Sequence, residues 1–244
     1  MDKHSTQNRV ITDYFGTTSG VGASKAGIVE SAAGLRRRLG PWLDVSGKRV
    51  LDLGCGLGET CQACLDSGAI AVTGVNLSQD EVDFARKHVN AVFLRQDIAE
   101  FLDQCEAASF DRVFALNILE HLDKDMLVRV VDGIHRVLSP GGTLTLMVPN
   151  ATSPFGAMTR YWDITHFNAF TPSSLLQISR LCGFGDRIEF RECGPTVHGL
   201  VSGIRFILWQ GVRFLIFCYL MIELASGKGG VYTADMLVRM TKPG

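Results

Sequence analysis

From residue 48 onward, short apolar runs alternate with longer stretches in which apolar residues recur every three or four positions. The runs predict strands at residues 49–54, 69–77, 89–95, 110–116, 143–148, 187–192 and 233–241. The longer periodic stretches predict helices over about 57–67, from Ser78 onward, and over 98–104, 123–138 and 172–182. Start and stop signals agree with them. Ser78 is followed three residues on by Glu81, the capping-box spacing, and Asp123 is a good N-cap. Thr171-Pro172 pairs an N-cap with proline at the first helical position, and Gly183 follows the last periodic residue. Strand–helix alternation of this kind implies parallel strands with helices on both faces. Residues 1–47 form a more polar lead-in or lid, in which a Ser19–Ser24 patch precedes a helix over 26–43 carrying Arg36, Arg37 and Arg38. The expected organisation is therefore that lead-in, followed by one α/β domain over 48–244 that includes an apolar helical insertion at 195–230.

The first strand stops at Gly54, Gly56 and Gly58. Glycines there permit positive φ and remove Cβ atoms from the turn, so a ligand can lie against the backbone with a helix N-terminus facing it. A triphosphate site would add Gly-Lys-Ser/Thr, which is missing, and a dinucleotide site would space the glycines as Gly-x-Gly-x-x-Gly. Here the spacing is Gly-x-Gly-x-Gly, with Asp52 two residues before it, which suits an amine-bearing ligand better than a pyrophosphate. Ligands of open parallel sheets bind at the carboxyl ends of strands. Those ends supply Asn76, Asp97, Asn117, Glu120, His121, Pro149 and Asn150.

Composition narrows the classes. The 244 residues are 46% hydrophobic with a formal net charge of −1, which describes a globular chain with no electrostatic case for nucleic acid. The seven cysteines lack zinc-like spacing. Cys61 and Cys64 form one Cys-x-x-Cys on a predicted helix, and they read as reduced thiols of a cytoplasmic protein without a metal. The Met-Asp-Lys-His start carries no apolar leader. Tyr14-Phe15 is placed to fold over a bound cofactor.

The glycine turn resembles the first motif of class I S-adenosylmethionine-dependent methyltransferases. Gly74–Ser78, Arg95–Ile98, Phe110–Val113 with Leu119–Leu122, and Arg136–Gly142 are similar to the later motifs in order and spacing. The resemblance implies a doubly wound, Rossmann-like, seven-stranded mixed sheet of order 3-2-1-4-5-7-6, with S-adenosyl-L-methionine as cofactor. It implies that Asp52, Gly54, Cys55, Gly56 and Gly58 hold the methionine and ribose parts, that Leu77, Asp97 and Ile98 take the adenine, and that Asn117 completes the site. The family usually has a carboxylate at the end of strand two. Asn76 stands there instead, and an amide loses charge assistance in binding ribose hydroxyls.

The stretch Arg160–Pro172 resembles an Asp-x-Thr-His…Phe-Thr segment of methyltransferases that act in surface-polysaccharide and sugar-modifying pathways. Methyl transfer to a hydroxyl benefits from a base within hydrogen-bond reach. His166, oriented by Asp163, is the first candidate, and His121 is the second; His88 and His135 read as structural. The expected reaction is O-methylation of a sugar or glycolipid intermediate. A small aromatic or quinone-like acceptor, or an inactive cofactor-binding relative, are the alternatives.

Residues 200–224 are strongly apolar but include Arg205, Gln210 and Arg213. Each arginine at mid-bilayer would cost roughly 3 kcal/mol, which argues against a span. Three readings remain open for this stretch: a cap over the substrate pocket, a helix packed on the core or at a dimer interface, or an apolar platform. The platform would make a peripheral contact with the inner membrane face, presenting a lipid-linked acceptor.

Overall fold

The computed structural model describes residues 20, 22–224 and 230–244. Tyr14 and Phe15 lie outside the described residues. Helix α1 (Lys25–Leu39) and a short 3₁₀ turn (Gly40–Trp42) lead into β1 (Arg49–Leu53). Then follow α2 (Glu59–Asp66), β2 (Ala71–Asn76), α3 (Gln79–His88), β3 (Val92–Arg95), α4 (Ile98–Gln104) and β4 (Phe110–Leu116). The second half contains α5 (Lys124–Val137), β5 (Leu138–Pro149), α6 (Gly156–Tyr161), α7 (Pro172–Leu181), β6 (Ile188–Glu192), α8 (Leu200–Leu224) and β7 (Asp235–Thr241).

The strands form one sheet of order β3-β2-β1-β4-β5-β7-β6, the order the family resemblance implied. β7 is antiparallel to both β5 and β6, and the other pairings are parallel. Both faces are covered, which is why β1 can be apolar in consecutive positions. Leu51 and Leu53 face α4 and α5, where Phe101, Leu102, Val130 and Ile134 are buried. Val50 faces the other way, into a core shared by Ile28 and Leu39 of α1, Trp42, Cys61 and Val82. The described part of the lead-in is thus a structural layer: Arg191 and Arg239 lie over the Trp42 ring at 4.8 and 5.0 Å, and Arg239 donates to the Trp42 carbonyl at 2.5 Å.

Local chemistry sets the element ends that matter. Ser78 caps α3 by accepting from the Glu81 N–H at 3.4 Å, and Asp123 caps α5 by accepting from Met126 N–H at 2.8 Å. Thr171 and Ser174 close a reciprocal box at the start of α7. β5 begins at Leu138, five residues before the apolar run that signalled it: Leu138 pairs with Phe110 of β4, and across the Pro-Gly-Gly bend Lys242 N–H donates to the Gly142 carbonyl while Gly141 N–H donates to the Lys242 carbonyl.

The insertion is one helix of 25 residues. None of the helix's described residues lines the cavity described below, and the helix is not packed into the core. Trp209 Nε1 donates to Glu192 Oε2 at 3.1 Å, and Arg213 pairs with the same oxygen at 3.1 Å.

Candidate functional site

A cavity of about 690 Å³ opens at the carboxyl ends of β1, β2, β4 and β5, within the range typical of small-molecule sites. Its first half is walled by Gly54, Gly56, Asn76, Leu77, Asp97 and Ile98. Gly54 has φ 69 and Gly56 φ 48. A Cβ on Gly54 would sit 1.9 Å from Ile118 Cδ1, whereas a Cβ on Gly56 would meet no atom closer than 4.0 Å. The first glycine is required by packing; the second leaves bare backbone facing open space. Asp97 Oδ1 caps α4 by accepting from Ala99 and Glu100 N–H at 2.9 and 3.2 Å, which fixes the carboxylate on the cavity wall. Asn117, also on the wall, holds φ 58 and donates its N–H to the Met147 carbonyl at 2.9 Å.

Three expected cofactor contacts are elsewhere. Asp52 shares the face of β1 that turns toward α2; it is 2% exposed, off the cavity wall, and accepts from the Cys61 thiol at 3.4 Å. Cys55 packs toward Gly74, whose Cβ would lie 2.9 Å from its Sγ. Gly58 has φ 92 and caps α2, and a Cβ there would press on Phe93 and Val89 at 3.1 and 3.2 Å. These residues shape the turn from behind.

Burial pushes the Asp52 carboxyl up to about 8. An unfolded aspartate titrates near ~4. Between those values the folded chain keeps a proton that the unfolded chain releases, so this group's contribution to stability is present at low pH and lost as pH rises through the window. Asp52→Asn should match the wild type in thermal melts below about pH 4 and exceed it near pH 8 by on the order of a few kcal/mol. Parallel melting curves at both ends would contradict this assignment.

One contact was hidden by a capping signal. Glu81 was expected to serve the helix N-terminus; instead its Oε2 accepts from Asn76 Nδ2 at 2.5 Å, and its carboxylate lines the cavity. The pair restores a negative charge at the end of β2, where Asn76 alone supplies none.

The second half of the cavity brings together Glu120, His121, Asp163, Thr165 and His166. The loop after α6 is fastened to the turn after β4: Phe167 and Asn168 N–H donate to the Glu120 carbonyl at 2.7 and 3.2 Å, and Asn168 Nδ2 donates to the Leu122 carbonyl at 2.6 Å. This places the His166 ring edge-on to His121, with centroids 4.7 Å apart.

His166 Nδ1 lies 3.0 Å from the Thr159 carbonyl, which can only accept, so Nδ1 carries hydrogen and Nε2 has the lone pair when the ring is neutral. The Asp163 carboxylate acts on the other histidine. Its Oδ1 accepts from Thr165 N–H at 2.8 Å and from Thr165 Oγ1 at 2.7 Å, and His121 Nδ1 in turn meets Thr165 Oγ1 at 2.7 Å. The expected Asp163–His166 pairing is thus replaced by an Asp163–Thr165–His121 chain and a backbone-held His166.

Burial, reinforced by His166, pushes His121 down to about 4, so it is neutral near neutral pH. Burial pushes Glu120 up to about 8, with Asp235 and Asp163 adding to the rise, and its Oε2 finds no hydrogen-bond partner among the described residues. Burial also tends to raise Asp163, but the Thr165 hydroxyl and N–H with the two histidines outweigh it and hold the carboxyl below its ordinary range. Ligand atoms of Glu120, His121 and His166 lie within 4.8 Å of one another, a set that a divalent ion could also use. Asp235, the first residue of β7, reaches the same cavity because β7 runs antiparallel and begins at this edge.

A bare-backbone turn, an acidic wall and a histidine-bearing loop meet at the carboxyl edge of a doubly wound, Rossmann-like sheet, where ligands of this fold class bind. Residues 50–142 match the family model described as a methyltransferase domain. The fold over nearly the whole chain is that of solved S-adenosylmethionine-dependent methyltransferases. It is similar to a SAM dependent methyltransferase from Archaeoglobus fulgidus, with a TM-score of 0.66, 21% identity, and coverage of 94% of this chain and 99% of that one. It is also similar to magnesium protoporphyrin IX methyltransferase from Synechocystis PCC 6803, solved with bound SAM, with a TM-score of 0.57, 14% identity, and coverage of 99% and 100%.

Among curated relatives, the ubiquinone biosynthesis O-methyltransferase of Pseudomonas aeruginosa (strain LESB58) is 35% identical over 117 residues, covering 45% of this chain and 49% of that protein. Methyltransferase GfsG of Streptomyces halstedii is 32% identical over 126 residues, covering 49% and 44%. The chain spans about half the length of these relatives.

Proposed function

We propose that the chain is an S-adenosylmethionine-dependent methyltransferase that methylates a hydroxyl group. The observation that carries this reading is the layout of one cavity: a glycine turn with Asn76, Glu81 and Asp97 at one end, and a histidine with a fixed tautomer at the other. The matched methyltransferase domain covers the first end.

The residues present fit the cofactor. Gly56 offers open backbone, Asn76–Glu81 offers an acceptor pair for ribose hydroxyls, and Asp97 stands beside Ile98 where an adenine amino group would be read. When bound, S-adenosylmethionine supplies a methyl group already activated on a sulfonium. The protein's task is then alignment and proton removal. His166 Nε2 takes the proton of the acceptor hydroxyl, while the Thr159 carbonyl holds the ring and favours the imidazolium that forms. His121 stays neutral and, braced by Thr165 and Asp163, shapes the floor beside it. Glu120, protonated below about 8, can hydrogen-bond to the acceptor oxygen.

The name of the Pseudomonas relative, a ubiquinone biosynthesis O-methyltransferase, supports a quinone-like acceptor. The exposed aromatic rim, with Tyr161 78% and Trp162 79% exposed, supports a sugar as the second reading, since ring faces stack on sugars. Incubating the full chain with labelled S-adenosylmethionine and both acceptor classes, then scoring methyl gain by mass spectrometry, decides between them. Methylation of neither class, with cofactor binding intact, would overturn the hydroxyl assignment.

Glu81 gives a separate test of cofactor recognition. Glu81→Gln keeps the shape but removes a charge-assisted acceptor worth ~1.5–3 kcal/mol, so affinity for S-adenosylhomocysteine should fall at least ~10-fold in calorimetry. An unchanged affinity would remove Glu81 from the site.

A further inference from the structure

The least explained part of the molecule is α8. At 25 residues it is roughly 38 Å long, and it is apolar without being buried. Ile204, Ile207, Leu208, Phe214, Leu215 and Ile222 are all at least half exposed. At ~100° per residue, the exposed apolar side chains cover roughly two thirds of the circumference. The remaining third holds Trp209, hydrogen-bonded to Glu192, and Arg213, ion-paired with it. An apolar arc this wide belongs against a core or in lipid, and this helix is outside the core. The arc is also too wide for a single flat protein partner, which would cover one side only.

A second exposed apolar group lies on the loop around α6. Phe155, Tyr161, Trp162, Ile164 and Phe167 are exposed there, and Met158 and Trp162 also line the cavity. Strand register brings the two groups to one side. α6 leaves the sheet after Pro149, which pairs with Asp235, and α8 leaves after Glu192, which pairs with Met236. Both segments therefore depart from the same carboxyl edge, beside the cavity mouth. Trp, Tyr and Arg160 in the loop are the residue types that anchor at a lipid–water boundary.

We propose that α8 and the 155–167 loop form a membrane-docking face, with α8 lying in the plane of the interface and the cavity mouth turned toward the lipid. A transmembrane arrangement is excluded by the Trp209 and Arg213 bonds to Glu192, which hold the middle of the helix against the edge of the domain. In this arrangement the acceptor enters from the bilayer as an amphiphilic molecule carrying a hydroxylated head. That last step rests on the methyltransferase reading; the docking itself does not.

The test is flotation of the full chain with phosphatidylcholine vesicles containing a minority of phosphatidylglycerol. It is run beside light scattering without vesicles and calorimetry with S-adenosylhomocysteine. The wild type should float. Ile207→Glu combined with Leu215→Glu, both on the exposed arc, should reduce partitioning at least ~10-fold, and Ile164→Glu should also weaken it. Affinity for S-adenosylhomocysteine should be unchanged in these variants. A wild type that stays in the aqueous fraction overturns the proposal, as does a stable dimer that the Glu variants convert to monomer without any vesicle binding. Failure to bind S-adenosylhomocysteine while still floating would overturn the methyltransferase reading and leave the docking face standing.

Discussion

His166→Ala is expected to slow methyl transfer ~100–1000-fold while leaving cofactor affinity within about twofold, the loss typical of removing a positioned base. The ring sits in the half of the cavity away from Gly54 and Gly56, and its tautomer is set by the Thr159 carbonyl, so deletion removes proton acceptance without touching the cofactor wall. His121→Ala should cost less, because that ring, held down to about 4, is too weak a base to act near neutral pH. Single-turnover rates for both variants, with separately measured cofactor binding, check the order. A His166→Ala enzyme at full rate, or a His121→Ala enzyme slower than His166→Ala, would reverse the roles.

The second large effect is expected at the glycine turn, where two neighbouring substitutions should separate. Gly54→Ala puts Cβ 1.9 Å from Ile118 Cδ1 at φ 69. Overpacking costs ~1–3 kcal/mol and a side chain at positive φ a further ~1–2 kcal/mol. Ile118 lines the cavity, so relief of the clash displaces it at the cofactor's expense. Gly54→Ala should therefore lower the melting temperature and weaken cofactor affinity ~100-fold, the equivalent of roughly 3 kcal/mol. Gly56→Ala, at φ 48, meets no atom closer than 4.0 Å, so it should lose only the ~1–2 kcal/mol of a side chain at positive φ, without the overpacking cost, and lose affinity because its methyl projects into ligand space. Thermal melts and calorimetry on the pair read both quantities. Equal stability loss in the two variants would mean that Gly56 is a packing residue and not part of a cradle.

The glycine-turn end of the cavity was legible because its signals are local. The apolar run, the stop at Gly54 and the polar residue at each strand end are short-range consequences of a parallel sheet covered on both faces. Local signals also misled. Asp52 alternates with Leu51 and Leu53 and so points at α2, a fact that strand parity already implied. Glu81 carried a capping pattern that hid its bond to Asn76.

The histidine end of the cavity was only partly legible, since its geometry comes from contacts across tens of residues. Thr165 bridges Asp163 to His121 over 44 positions, and the Glu120 carbonyl anchors Phe167. Asp163 and His166 are close in sequence, but proximity along a chain does not decide which side chain a carboxylate turns to. The position of α8 was illegible for a related reason. Its composition fits a core, an interface or a lipid surface equally well, and it is contacts such as those to Glu192 that tie it to the carboxyl edge of the sheet.

The most direct measurement is calorimetric titration of the full chain with S-adenosylhomocysteine. One molecule should bind per chain with a dissociation constant of about 1–100 μM, and the heat should vanish in Gly56→Ala, placing the adenosyl group against the bare turn. No heat up to ~1 mM ligand, or binding indifferent to Gly56→Ala, would contradict the assignment of this cavity to the methyl donor.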